Sequence, residues 1–171
     1  MMKFTITHRN KKNQLLVSTK SLERFLERIV NDDAKNTVEN FREYVPWLTN
    51  GYDGYKDMPT WMHVHPAAEL QKSENGLLKM KQNNGILLHT YVNIKEEGGV
   101  AAAKQSVASL PSTLAAFMGA DGISLHVLVK YALSNGTLPN EEAEADRIYK
   151  QAFHTFAPLY QILVKATMQM P

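Results

Sequence analysis

The chain contains no cysteine among its 171 residues. This absence excludes disulfides, iron–sulfur clusters, zinc sites with thiolate ligands and a cysteine nucleophile, and it suits a reducing compartment. No apolar run approaches the ~20 residues that a helix needs to cross a bilayer. The first residues also lack the continuous apolar segment of a secretory signal. We therefore expect a cytoplasmic protein with no membrane partner.

A strong excess of either charge is also absent, because 19 basic and 17 acidic residues leave a formal charge of +2. This balance permits nucleic acid as a partner without arguing for it, since dedicated binders concentrate more positive charge. The hydrophobic fraction of 44% is enough for a packed core at this length. We therefore predict a single domain over residues 1–171. The apolar tail at residues 159–171 leads us to expect that the natural protein continues.

Familiar catalytic motifs are missing as well. The chain has no Gly-x-Ser-x-Gly elbow, no P-loop and no dinucleotide fingerprint. No two acids are spaced i, i+2 on a predicted central strand, as two-metal phosphoryl transfer requires. Glu96 and Glu97 stand together at a predicted helix start, where the helix dipole explains them better.

The pattern of apolar residues predicts an α+β fold, with helices packed against one mostly antiparallel or mixed sheet. Strands are predicted at residues 3–8, 15–18, 86–94, 113–118 and 125–131. Helices are predicted at residues 22–30, 37–44, 100–110 and 140–156, with Pro158 ending or kinking the last one. A hairpin is predicted around Asn75-Gly76. Residues 47–66, rich in aromatics, are predicted to form an ordered loop.

Two places in this layout can carry chemistry. His63 and His65 are spaced to share one face of a strand, and Glu69 follows, but without a third clear ligand we favour histidines bonded to the backbone over a metal site. The loop at residues 119–122 can present N–H groups to a phosphate, with His126 close behind it. A plain β-turn followed by a buried histidine is the more common arrangement, and it stays open as the alternative.

Several segments, taken in order, resemble a known family. They are YVPWLTNGYDGY, HVHPAAEL, NGILLHTYVNI, LPSTLAAFMGADGISLHVLVKY and NGTLPNEEAEADRIYKQAF. The chain is similar over about residues 1–160 to the VirE N-terminal-like domain of mobile-element proteins, which is related to the archaeo-eukaryotic primase-polymerase superfamily. The resemblance implies a primase-polymerase-like core with an RRM-like sheet.

The resemblance also assigns roles to positions. Active relatives carry two metal-binding aspartates on the strand matched by residues 85–94, and Thr90 and Val92 occupy those positions here. The matched loop and strand contact nucleotide phosphate in relatives, and the corresponding residues are Gly122, Ser124, His126 and Lys130.

A hydroxyl and an isopropyl group cannot hold Mg²⁺ in place of two carboxylates. We therefore predict a catalytically degenerate domain, with no catalytic residue, metal or cofactor, that binds single-stranded DNA or nucleotide without nucleotidyl transfer. Arg42 and Lys56 are expected to neutralise backbone phosphates, and other mobile-element proteins are expected partners. Two alternatives remain. One is a protein–protein interaction or structural domain whose interface is the 47–61 loop and the tail. The other is an enzyme of unrelated chemistry at His63, His65 and Glu69.

Overall fold

The structure is a computed structural model. It describes residues 2–10, 12–31, 38–40, 42–43, 63–95 and 97–169. These residues form antiparallel sheets with a few helices, so the predicted α+β class is confirmed. The expectation of one sheet is wrong, because the described strands divide into sheets of three, two and four strands.

The N-terminal sheet has the strand order β2-β1-β3. Its strands are β1 (Lys3–Arg9), β2 (Leu15–Ser21) and β3 (His63–His65). The first two confirm the predicted strands, and β3 replaces part of the predicted loop. Helix α1 (Leu22–Val30) follows β2 directly. It begins there because the Ser21 hydroxyl accepts a hydrogen bond from the Arg24 N–H and caps the first turn.

A separate hairpin carries the chain from this sheet to the centre of the molecule. Strands β4 (Ala68–Lys72) and β5 (Leu78–Asn83) pair antiparallel. The turn between them places Gly76 at a φ of 81°, a left-handed conformation that glycine adopts without strain. The predicted hairpin at Asn75-Gly76 is therefore confirmed.

The central sheet has the strand order β7-β8-β6-β9. Its strands are β6 (Ile86–Val92), β7 (Thr113–Met118), β8 (Leu125–Lys130) and β9 (Thr167–Gln169). The two remaining helices are α2 (Gly99–Ala108) and α3 (Glu142–Val164). Strand β6 lies between β8 and β9, as its apolar run predicts for a central strand.

The two faces of the central sheet meet different partners. One face packs against α2 and α3 through a fully buried cluster that includes Leu87, Tyr91 and Tyr160. The other face meets the N-terminal sheet and α1 through a second cluster that includes Phe4 and Leu128. Since side chains alternate along a strand, the positions 88, 90 and 92 of β6 face away from the helices.

The C-terminal part differs from its prediction. Helix α3 begins after Glu141 rather than Asn140, and it continues through Pro158 to Val164. The tail then forms β9, whose Met168 pairs with Tyr91 of β6. Among the described helices, none is long and apolar enough to span a membrane. The predicted helix at 37–44 agrees with helical residues 38–40 and 42–43.

Candidate functional site

Thr90 and His126 lie directly opposite each other on β6 and β8. The Thr90 hydroxyl and the His126 Nδ1 are 3.0 Å apart and share a hydrogen bond. Both side chains lie on the face of the sheet that points away from α2 and α3. The position assigned to a metal carboxylate and the position assigned to phosphate contact are thus neighbours in space.

The loop between β7 and β8 is a closed turn. The Gly122 N–H donates to the Gly119 carbonyl at 3.0 Å, and the Gly119 N–H donates to the Ser124 carbonyl at 2.9 Å. The Asp121 carboxylate accepts from the Ile123 N–H, the Ser124 N–H and the Ser124 hydroxyl at 2.8–3.0 Å. These donors are satisfied within the loop, so the arrangement fits the β-turn alternative better than a phosphate cradle.

Arg42 lies against this turn from a distant part of the chain. Its Nε donates to the Ala120 carbonyl at 3.1 Å, and its Nη2 lies 3.7 Å from the Met118 sulfur. A Cβ placed on Gly122 would come within 3.1 Å of the Arg42 Nε, so glycine allows the guanidinium to approach this closely. The contact puts a permanent positive charge beside the turn.

The charges at the site favour a neutral imidazole beside an ionised carboxylate. Burial lowers the pKa of His126, and the nearby Asp121 only partly opposes this. Burial by itself raises the pKa of Asp121, but the hydrogen bonds from Ser124 and Ile123 outweigh it and hold that pKa below its usual value. The ring of Phe117 lies 5.6 Å from the His126 ring and shields one side of it.

The other residues that the resemblance assigns to the site lie at different distances from Thr90 and His126. Ser124 is buried, and its hydroxyl serves the turn by donating to Asp121. Val92 lies on the same side of β6 as Thr90, about 7 Å along the strand. Lys130 is exposed at the other end of β8 opposite Ile86, about 13 Å along the strand from His126. Lys56 lies outside the described residues.

The expectation that the β3 histidines bond to the backbone is not met at His65, whose partner is a side chain. His65 shares a hydrogen bond of 2.9 Å with the Thr7 hydroxyl, and burial lowers its pKa, with His63 adding to the effect. Glu69 forms a 2.7 Å ion pair with Lys81. Nowhere in the described part of the chain do three histidine, aspartate or glutamate side chains form a cluster that could hold a metal ion.

A half-open cavity of about 430 Å³ lies on the other side of Thr90. Its walls come from β3, β4 and β6, with α3 and β9 completing them. The lining includes His65, Ala68, Leu88, Thr90, Tyr149 and Gln169. Sequence patterns gave no sign of it, because its walls meet only when the tail pairs with β6.

The chain matches a known protein family. The family model described as BT4734-like, N-terminal domain, covers residues 58–170, which is more than half of the chain. Comparison with curated proteins and with solved structures gave no match.

Proposed function

We propose that this chain, which belongs to the BT4734-like N-terminal domain family, is a nucleic-acid- or nucleotide-binding module that does not transfer nucleotides. The proposal includes a degenerate primase-polymerase-like core and a place in a mobile-element protein, where other mobile-element proteins are its partners. The observation that carries it is the 3.0 Å contact between Thr90 and His126.

This contact matters because it joins one position assigned to metal binding, Thr90, to one assigned to phosphate contact, His126. Thr90 and Val92 share a face of β6 and supply no carboxylate. The acid nearest His126 in the assigned loop, Asp121, already accepts three hydrogen bonds from the turn. Two-metal chemistry needs carboxylate oxygens directed at the ions. The geometry therefore supports binding without nucleotidyl transfer.

Side chains rather than loop N–H groups are the phosphate contacts in this proposal. Arg42 brings the charge, and His126, neutral near pH 7 because burial lowers its pKa, brings a hydrogen-bonding ring beside the turn. Phosphate contacts position a strand without reading its bases. The module is therefore proposed to bind single-stranded DNA with little sequence preference.

The test is fluorescence anisotropy with a labelled single-stranded DNA at low salt. We expect binding that weakens as salt rises, and an Arg42→Ala variant with a shallower salt dependence, by about 0.7 in the log–log slope for one lost phosphate contact. The matched control is Lys104→Ala, which removes an exposed cation from α2 on the other face of the sheet. Absence of binding, binding indifferent to salt, or equal effects of the two variants would contradict the proposal.

The second half of the proposal has its own assay. The protein is incubated with a primed template, Mg²⁺ and deoxynucleoside triphosphates, and also without primer. We expect no extension and no primer synthesis. Product that disappears in a His126→Ala variant would show that the site is catalytic after all.

A second candidate function is protein–protein interaction without a nucleic-acid ligand. It is favoured by two apolar side chains on α3, Leu159 and Ile162, which are 47% and 74% exposed. Part of the tail that was expected to form an interface instead pairs with β6, and residues 47–61 lie outside the described residues. An Ile162→Asp variant that loses a partner while keeping DNA binding would separate this function from the first.

A further inference from the structure

We propose that the cavity beside Thr90 binds a neutral heteroaromatic compound of nucleoside size. The inference rests on the proposed function, because the same Thr90 borders both places. It goes beyond that function by naming a separate pocket and the part of the ligand that enters it.

The first argument is charge. None of the side chains that line the cavity carries a formal charge near pH 7. Burial lowers the pKa of His65, with His63 adding to the effect, and burial raises the pKa of Tyr149, so both are neutral there. A phosphate or another ion would lose its hydration in this place without a partner of opposite charge. The occupant is therefore uncharged where it meets these walls.

The second argument is the combination of size and polarity. A volume of about 430 Å³ falls within the range of small-molecule sites, which are mostly apolar with a few polar groups that fix orientation. The apolar wall here comes from Val64, Leu70 and Leu88. Tyr149 and Gln169, whose side chains carry a hydroxyl and an amide, are also in the lining. A flat ring with polar edges matches both kinds of surface.

The third argument is position. The Thr90 hydroxyl bonds to His126, and Thr90 is also one of the residues that line the cavity. A ring in the cavity is therefore separated from the turn by two side chains, Thr90 and His126. Thr90 is thus the residue that the neutral pocket shares with the place proposed for phosphate.

The test is a two-dimensional NMR titration of the full chain with free adenosine and free cytidine, which carry no phosphate. We expect shifts at Leu88, Thr90 and Tyr149 that do not change with salt. An Ala68→Leu variant fills the cavity and should weaken binding at least tenfold. The matched control, Ala101→Leu, makes the same change at an exposed site on α2 and should leave binding unchanged.

A second variant guards against misfolding of the first. Tyr149→Phe removes a hydroxyl that bonds to the Leu88 backbone, so the melting temperature should fall slightly while the protein stays folded and nucleoside binding weakens several-fold. No shifts at millimolar nucleoside, shifts at other residues, or equal binding by Ala68→Leu would overturn the inference. If nucleosides fail while DNA binding still depends on Arg42, the cavity inference falls and the proposed function stands. If nucleosides bind and DNA does not, the cavity inference stands and the proposal of DNA binding falls.

Discussion

His89 is the buried titratable side chain with the most direct consequence for stability. It is 0% exposed, its Nδ1 lies 3.0 Å from the Tyr91 hydroxyl, and its Nε2 has no hydrogen-bond partner in the structure. The rings of Phe153 and Tyr160 lie 4.7 and 5.6 Å away, edge to face. Burial therefore lowers the pKa of His89 to about 4, because desolvation disfavours the charged imidazolium.

This lowered pKa predicts a loss of stability in acid. The unfolded chain takes up a proton on His89 near its ordinary pKa of about 6.5, and the folded chain resists until about pH 4. The free energy of unfolding should therefore fall between these values, by about 3 kcal/mol from this residue alone. Urea unfolding of the wild type and of His89→Phe between pH 7 and pH 4 measures it. His65 and His126 also have lowered pKa values, and they act in the same direction in both proteins. If the free energy of unfolding fell as steeply with pH in His89→Phe as in the wild type, His89 would not be the cause.

A second prediction concerns Gly119 at the turn. A Cβ there would collide with the Ser124 hydroxyl and would come within 2.9 Å of the Asp121 Oδ1 and 3.0 Å of the His126 Nε2. Gly119→Ala should therefore open the turn, costing about 1–3 kcal/mol through crowding and weakening DNA binding together with stability. Melting temperatures and anisotropy test both effects.

The control is Gly99→Ala, whose Cβ would meet no atom of the described residues within 4 Å. Its φ of 62° still makes the change strained, so a moderate loss of stability with normal DNA binding is expected. If Gly119→Ala binds DNA as the wild type does, the turn has no part in binding.

At the scale of single residues, the sequence predicts which face of a strand each side chain takes, but it does not predict which distant residues that side chain contacts. Alternation along β6 separates Thr90 from His89 and Tyr91, and the structure keeps that separation. The contact of Arg42 with Ala120 joins residues 78 positions apart, and no local pattern encodes such a distance. The role of Asp121 in closing the turn also depends on geometry that appears only after β7 and β8 pair.

Among the elements, α3 departs most from its predicted form. Pro158 lacks the N–H that would bond to residue 154, and its ring crowds that carbonyl, so the sequence predicts an end or a kink of the helix there. The helix continues because Ala157, Tyr160 and Val164 on its inner face are at most 5% exposed, and burial outweighs the lost hydrogen bond. The three-residue strand β9 was missed for a related reason, since only its pairing with β6 defines it.

Replacing this proline should stabilise the protein. Pro158 is exposed, so Pro158→Ala restores the helix hydrogen bond without disturbing the packed face. The free energy of unfolding should rise by about 1–3 kcal/mol, measured by urea unfolding. Leu159→Ala, at the exposed neighbouring position, should change it little. An unchanged or lower stability in Pro158→Ala would mean that the proline bend itself shapes the packing of α3.

At the scale of the whole molecule, the described fold extends beyond the residues that match the family model. The match begins at residue 58, so β1, β2 and α1 lie outside it. Yet β3, which lies inside it, pairs with β1. Asn84 ties the two parts together, because its side-chain amide donates to the carbonyls of Lys3 and Pro66 at 2.6 and 3.0 Å. The N-terminal elements thus contact the matched region through a strand pair and these hydrogen bonds.

The matched region alone should therefore fold poorly. Deleting residues 1–57 would expose Ile86 and Leu128, now 1% and 2% exposed, and would leave β3 without its neighbouring strand. We expect the 58–171 fragment to lose its cooperative urea transition.

A milder variant tests the same effect in the full chain. Phe4 is 1% exposed in the apolar cluster between the N-terminal and central sheets. Phe4→Ala should therefore lower the free energy of unfolding by about 3–5 kcal/mol. Hydrogen exchange should then speed up in β8 as well as in β1, since both sheets share the cluster. A fragment that unfolds as cooperatively as the full chain would show that the N-terminal sheet is an independent attachment to the central one.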